Sequence, residues 1–388
     1  MLIPSPHELV ASTSGQIALN RRDFISLASK GAAAAILSGA GIARAASSPA
    51  RRKVVIVTFG GGARDEETFA PEGQRNIPCL MTSLLPRSTF FAQVVNHGIL
   101  GHYVATTSLA TGVYETFNNF TGDAPANPTL FEYFRKGLRR PAEDAWVISP
   151  SRGFAHMGGS VAKGYGPSYA AGVILPKQLL GAASGANASD DILHLLRDNY
   201  EEPFVAPQLS RDERHLQQIE ELLKLSVSDF RHHAMSLSSA DELSVFVARR
   251  VMEQLSPTLI WITLHDIDVA HSGAYSLYID GIQRTDRLCL DIWQTIESLP
   301  EYRSNTTMFI LPDFGRDSDT NPGGNGFQHH RTGDALSRTT WMMALGPGIR
   351  EGAFVQRPVD SLDLVPTVGR KLGFDTSLAK GSAIAEVL

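Results

Sequence analysis

The chain has 388 residues, with 40 acidic residues against 35 lysines and arginines, and a formal net charge of -5. Its isoelectric point near 6.2 excludes the strongly basic face by which a protein grips nucleic acid. Its two cysteines, Cys79 and Cys289, form no zinc-finger or redox motif, and the sequence leaves open whether they pair.

The first element is a targeting segment. Asn20-Arg21-Arg22-Asp23-Phe24-Ile25-Ser26-Leu27 carries a twin arginine followed by hydrophobic positions, and a mildly apolar stretch over 31–40 leads to Ala43-Arg44-Ala45. That order reads as a twin-arginine export signal over 1–46, cleaved near Ala45 or Ala46. It implies the twin-arginine export machinery as a partner and a periplasmic or secreted product. The stretch is too short and too rich in Gly and Ala to act as a stable membrane span, and nothing after it reaches that length. Residues 47–388 are expected to form a single domain.

Lys53-Val54-Val55-Ile56-Val57-Thr58 reads as a central parallel strand, followed by the turn Phe59-Gly60-Gly61-Gly62-Ala63-Arg64. A helix is expected over 77–85, a strand over 90–96, a helix over 107–114, an amphipathic helix over 129–138 and a strand over 145–149. Residues 151–200 are rich in Gly, Ala and Ser and read as loops with a small hairpin. Long helices are expected over 212–231, 239–255 and 275–299, and strands from 259, over 306–311 and over 340–345. A last helix over 359–373 stops at Gly373. Strands alternating with helices imply an α/β fold, a mostly parallel central sheet with helices on both faces.

Two strand ends carry chemistry. The run Ile310-Leu311-Pro312 ends in Asp313-Phe314-Gly315-Arg316, and a glycine-rich loop then closes on His329-His330. The run Leu259-Ile260-Trp261-Ile262-Thr263-Leu264 enters His265-Asp266-Ile267-Asp268-Val269-Ala270-His271. Acids at the carboxyl ends of parallel strands face the ligand crevice, and carboxylate oxygen with neutral imidazole nitrogen suits Zn²⁺ or a comparable divalent cation. The alternative is a pair of solvated turns whose aspartates cap backbone N–H groups. Arg64 has a planar fork suited to an anionic oxygen, or to an ion pair with Asp65 or Glu67.

The order of these segments resembles the alkaline-phosphatase-like superfamily, which includes sulfatases and phosphodiesterases. The likeness rests on the first strand and its loop at 54–64, Ser108-Leu109-Ala110-Thr111-Gly112-Val113-Tyr114, the strand end at Asp268, the strand end at Asp313, and Leu345-Gly346-Pro347-Gly348-Ile349 with Asp363-Leu364-Val365-Pro366-Thr367. The Asp-Phe-Gly-Arg segment, with its late histidines, is also similar to an exported, sulfatase-like branch whose activity is largely undefined.

The resemblance implies a metal-dependent hydrolase of a small anionic phosphate or sulfate ester, or a non-catalytic binding protein of the cell envelope. It implies one divalent ion held by Asp268, His271 and one of His330 or His329, with Asp266 as a rival to Asp268. Asp313 would bind the ion or orient a ligand. In the usual members the first strand ends in a metal-binding aspartate, where this chain has Gly60, Gly61 and Gly62, and a histidine ligand follows the acid that Asp313 matches, where this chain has Phe314. The usual nucleophile position falls on His102, as a metal ligand, nucleophile, general base or loop residue. The hydroxyls of Thr106, Thr107 and Ser108 lie off that position.

Overall fold

The computed structural model describes residues 52–120, 123–185, 188–196, 213–319 and 325–388. The export signal over 1–46, Asp212 and the glycine-rich stretch 320–324 lie outside the described residues. In chain order the elements are β1 (Lys53–Thr58), β2 (Ser88–Val95), α1 (His102–Thr111), α2 (Leu130–Leu138), β3 (Ala145–Ile148), β4 (Gly172–Ile174), α3 (Pro176–Ser184), α4 (Asp190–Leu196), α5 (Glu213–Gln217) and α6 (Val227–Ala234). They continue with α7 (Ala240–Leu255), β5 (Leu259–Thr263), α8 (Tyr275–Ser298), β6 (Thr306–Leu311), α9 (Ala335–Arg338), β7 (Thr339–Leu345), β8 (Ala353–Val355), β9 (Val359–Asp360) and α10 (Leu364–Leu372).

All of the described strands belong to one 9-stranded sheet in the order β4-β3-β5-β1-β6-β7-β2-β8, with β9 also on β2. Only β7 runs antiparallel to its neighbours, pairing so with β6 and with β2. The period of two along each strand sends alternate side chains to opposite faces. Val55, Val57, Ile260, Ile262 and Ile310 pack with α3, α7 and α8 on one face. Val54, Ile56, Leu259, Trp261 and Phe309 pack with α1, α2 and α10 on the other. Burial on both faces explains the unbroken apolar runs of β1, β5 and β6. The structure thus has the α/β architecture that the alternating sequence implies.

Several elements differ from the sequence expectation. Helix α1 begins at His102, five residues before the expected start, and every residue from 102 to 111 is buried. With no polar face, it offers no amphipathic period to read. The described residues of the stretch 151–200 hold no hairpin: β4 is a parallel edge strand on β3, and the Gly- and Ala-rich stretch behind it forms α3, whose Leu179 and Leu180 are buried. The helix expected over 212–231 ends in a wide π turn at Gln218–Leu222 and breaks at Lys224 (φ 53°) before α6 resumes. The segment over 77–85 closes as a π turn, Leu80–Leu84. The last segment divides into β9, a short 3₁₀ turn and α10, which ends at Gly373 (φ 84°).

Cys79 and Cys289 are both free thiols. No helix among the described residues is long and apolar enough to cross a membrane.

Candidate metal centre

Strands β5, β1 and β6 lie side by side in parallel, with Thr58 opposite both Thr263 and Leu311. Their carboxyl ends therefore open at one edge of the sheet. There the sequence continues as His265 to His271 after β5, as Gly60 to Gly62 after β1, and as Asp313 to Arg316 after β6. His102, the first residue of α1, enters the same space from the helix layer that α1 shares with α2 and α10, and is 4% exposed.

His102, Asp268, His271 and His330 each bring one ligand-type atom to within 4.8 Å of the others. His102 Nε2 lies 2.9 Å from Asp268 Oδ1, and His271 Nε2 lies 3.1 Å from the same oxygen. His271 Nε2 and His330 Nε2 are 2.9 Å apart. The far side of two rings is already fixed: His102 Nδ1 meets Asp313 Oδ2 at 2.5 Å, and His330 Nδ1 donates to the carbonyl of Leu100 at 2.6 Å. Holding the outer nitrogen of an imidazole turns the inner nitrogen's lone pair toward an ion.

Two buried atoms test whether a cation fits here. His102 Nε2 and Asp268 Oδ2 are buried without a well-formed hydrogen bond. Unmet buried polar atoms cost free energy, and both face the group. Three imidazoles and one carboxylate form the donor set of a tetrahedral zinc-type site. The residues present fit a divalent ion.

Phe314 occupies the position after Asp313 and stacks on His102, with ring centroids 4.5 Å apart and planes at 29°. It also lies 4.7 Å from the His330 ring. It therefore walls the group instead of ligating. Sequence reasoning missed His265 as a contributor; its Nε2 lies 3.4 Å from Asp268 Oδ2. Its position at the end of β5, three residues before Asp268, was the available signal.

Three sequence candidates are placed elsewhere. Asp266 turns away from the group and accepts from Arg284 Nη1 at 3.1 Å. His329 is not among the four converging residues; its backbone carbonyl accepts from Asp317 N at 2.9 Å. Arg64 is 6% exposed and spends its fork on Glu67, through Nε at 2.9 Å and Nη2 at 2.5 Å, with Nη1 2.8 Å from Asp319. Burial opposes its charge, but those carboxylates outweigh burial and raise its pKa. The arginine that does reach the group is Arg316, whose Nη2 donates to Asp268 Oδ1 at 2.8 Å.

Burial favours neutral His102, but the carboxylates of Asp268 and Asp313 outweigh it and push its pKa up to about 9. Burial also opposes the charge of Asp268, and His102 and His265 overcome this to hold its carboxyl well below the usual range. His330 is driven far down by burial and by the charges of His102, Arg316 and His271. In the metal-free protein the His102 contribution to stability is complete below pH ~6.5, its unfolded value, and is lost as pH rises through about 9. An ion that takes Nε2 must displace that proton. Titrating the metal-free protein with Zn²⁺ at pH ~7.5 should therefore release about one proton from this residue. Calorimetry in two buffers of different ionisation enthalpy reads this out, and a result of zero protons would leave His102 outside the ligand set.

The turn after β1 has its own constraint. Gly61 has φ +97°, and a Cβ there would sit 2.5 Å from Asp268 N. Only glycine lets the backbone approach this closely. Gly61→Ala is expected to destabilise by about 3 kcal/mol or more, from left-handed strain plus overpacking, with metal affinity falling as Asp268 shifts. Urea unfolding with and without Zn²⁺ checks both effects.

No family profile and no curated protein matches this chain in sequence. Solved structures match its fold. Alkaline phosphatase PafA aligns over 89% of this chain and 100% of its own, with a TM-score of 0.52 and 12% identity. The lipoteichoic acid synthase LtaP from Listeria monocytogenes aligns over 87% and 75%, with a TM-score of 0.51 and 11% identity. The phosphonate monoester hydrolase SpPMH from Silicibacter pomeroyi aligns over 86% and 76%, with a TM-score of 0.51 and 12% identity. The sheet, the helix that opens on His102 and the three adjacent strand ends together make this an alkaline-phosphatase-like fold.

Proposed function

We propose that the protein is a metal-dependent hydrolase of phosphate or sulfate esters, working on one divalent ion held by His102, Asp268, His271 and His330. The observation that carries this reading is the convergence of those four side chains at the carboxyl edge of the sheet. Such an ion supplies Lewis-acid charge to the oxygen atoms of an anionic ester. Asp313 fixes the tautomer and direction of the His102 ring through Nδ1. Phe314 blocks motion of His102 and His330 from one side and excludes water there. His271 is 14% exposed, so substrate approaches on the side of His271 and His330.

The attacking group is water. The hydroxyls nearest the start of α1 are committed to its backbone: Thr106, Thr107 and Ser108 donate to the carbonyls of His102, Tyr103 and Val104 at 2.7, 2.7 and 2.8 Å. That commitment also favours a second reading, a non-catalytic binding protein of the cell envelope. Turnover decides between them. Hydrolysis of 4-nitrophenyl esters that requires added Zn²⁺ or Mn²⁺ and falls about 100-fold or more in His271→Ala supports the enzyme. Metal-replete, folded protein with no turnover of phosphate, phosphonate or sulfate esters supports the binding protein. Arg21-Arg22 and the small residues at 43–45 support export to the periplasm or beyond.

A further inference from the structure

The middle strand of the three at the site, β1, ends in Gly60, Gly61 and Gly62 and offers no carboxylate. The space beside that turn is filled by Arg316, from the loop after β6. Arg316 is fully buried, at 0% exposure. Its Nε donates to the carbonyls of Gly61 and Gly62 at 2.9 and 3.0 Å, and its Nη2 donates to Gly61 O and to Asp268 Oδ1. The fit is close: a Cβ on Gly62 would lie 3.2 Å from Arg316 Cγ. The remaining Nη1 has no hydrogen-bond partner, and Tyr278 presents its ring 6.0 Å from the guanidinium carbon. A guanidinium does not deprotonate in proteins. Arg316 is thus a permanent positive charge wedged between the glycine turn and a ligand carboxylate.

That charge has two consequences. A second divalent ion about 4 Å from the guanidinium would meet strong like-charge repulsion in this buried setting. The turn after β1 supplies no acid to offset it. The net charge of the filled site is also low. One divalent ion and one guanidinium stand against the carboxylates of Asp268 and Asp313, with the histidines neutral as ligands, which leaves a single positive charge. Arg64 adds none, because Glu67 pairs with it.

We propose that Arg316 is the resident second cation of a centre that takes one divalent ion, and that the site is matched to singly charged tetrahedral esters rather than to dianionic phosphate monoesters. A sulfate monoester and a phosphate diester share that charge and shape. This rests on the metal-dependent hydrolase reading and narrows it to a substrate class.

The test uses the full mature chain loaded with Zn²⁺. Elemental analysis with native mass spectrometry should give one ion per chain. With one leaving group throughout, kcat/KM for 4-nitrophenyl sulfate or for bis(4-nitrophenyl) phosphate should exceed that for 4-nitrophenyl phosphate at least tenfold, and the better of the two names the source of the ester. Two ions per chain, or a preference for the dianion, overturns the proposal while leaving the hydrolase reading intact; no bound ion overturns the hydrolase reading itself. Arg316→Met removes the charge and keeps the bulk. It should bind Zn²⁺ at least tenfold more tightly, with Arg316→Lys close to wild type. A folded Arg316→Met protein that binds Zn²⁺ more weakly would give Arg316 a purely structural role and overturn its part. The wild-type stoichiometry and substrate ratios stand as the test if neither variant folds.

Discussion

Stripping the protein with a chelator is expected to lower its melting temperature by about 10 °C and to abolish ester hydrolysis, with both restored by Zn²⁺. A ligand held at about a thousand times its dissociation constant stabilises the folded state by about 4 kcal/mol, and each kcal/mol is worth about 2–4 °C in a domain of this size class. Substitutions should grade the effect. His271→Ala and His330→Ala each delete a donor from the four that converge and should remove most of the metal-dependent stabilisation. Asp313→Asn acts through the His102 ring and should weaken the ion about 10–100-fold, as substitutions behind a ligand do. Asp266→Asn and His329→Ala should leave affinity unchanged, because neither residue belongs to the group. Isothermal titration and thermal melts across this series give the order directly. Equal losses in all five variants would mean that the four side chains do not form a site.

The second large effect is structural. Glu132→Ala should destabilise the protein by about 4–6 kcal/mol. Glu132 is completely buried and accepts from Thr129 N at 2.7 Å, Ser160 N at 3.2 Å, Ser160 Oγ at 3.0 Å and Gly166 N at 2.6 Å. It closes the capping box of α2, worth about 1 kcal/mol, and anchors the segment 160–166. Its loss leaves several buried donors unmet, at about 1–3 kcal/mol each. Glu132→Gln keeps the size but can accept at only one oxygen, so it should fall between wild type and Ala. Urea unfolding read by circular dichroism measures the series. A change under about 1 kcal/mol would show that water replaces the carboxylate.

The central strands β1, β5 and β6 were legible because burial on both faces demands continuous β-branched and aromatic runs, whereas the short edge pieces β4, β8 and β9 carry too few residues to give such a run. The site was legible where acids and histidines follow such runs at once, as Asp268 and His271 do after β5 and Asp313 does after β6. Three features resisted reading for separate reasons. Helix α1 is buried all round, so its start at His102 carried no periodic signal, and Gly101 makes no side-chain cap to mark it. At Arg64 the sequence left anion binding and an ion pair with Asp65 or Glu67 both open, and only the fold shows that Glu67, three residues on, claims its fork. Arg316 carried no signal of its role, since its partners Gly61, Gly62 and Asp268 lie 48 or more positions away. The long-range reach of Glu132 to Ser160 and Gly166 was hidden in the same way, inside a stretch whose composition reads as loop.

The order of strands in the sheet also sets an order in time. β1 has no partner until β5 and β6 are made, and β2 has none until β7, β8 and β9. Before residue 259, the described strands can form only the short pairing of β3 with β4. A chain emerging from the ribosome therefore cannot assemble this sheet piecemeal; almost the whole length must be synthesised before its centre closes. Such non-local pairing slows folding and leaves apolar strands exposed while synthesis proceeds. The metal-type group, spread from His102 to His330, comes together only once β1, β5 and β6 have paired, so all four points are open to an ion only late in folding.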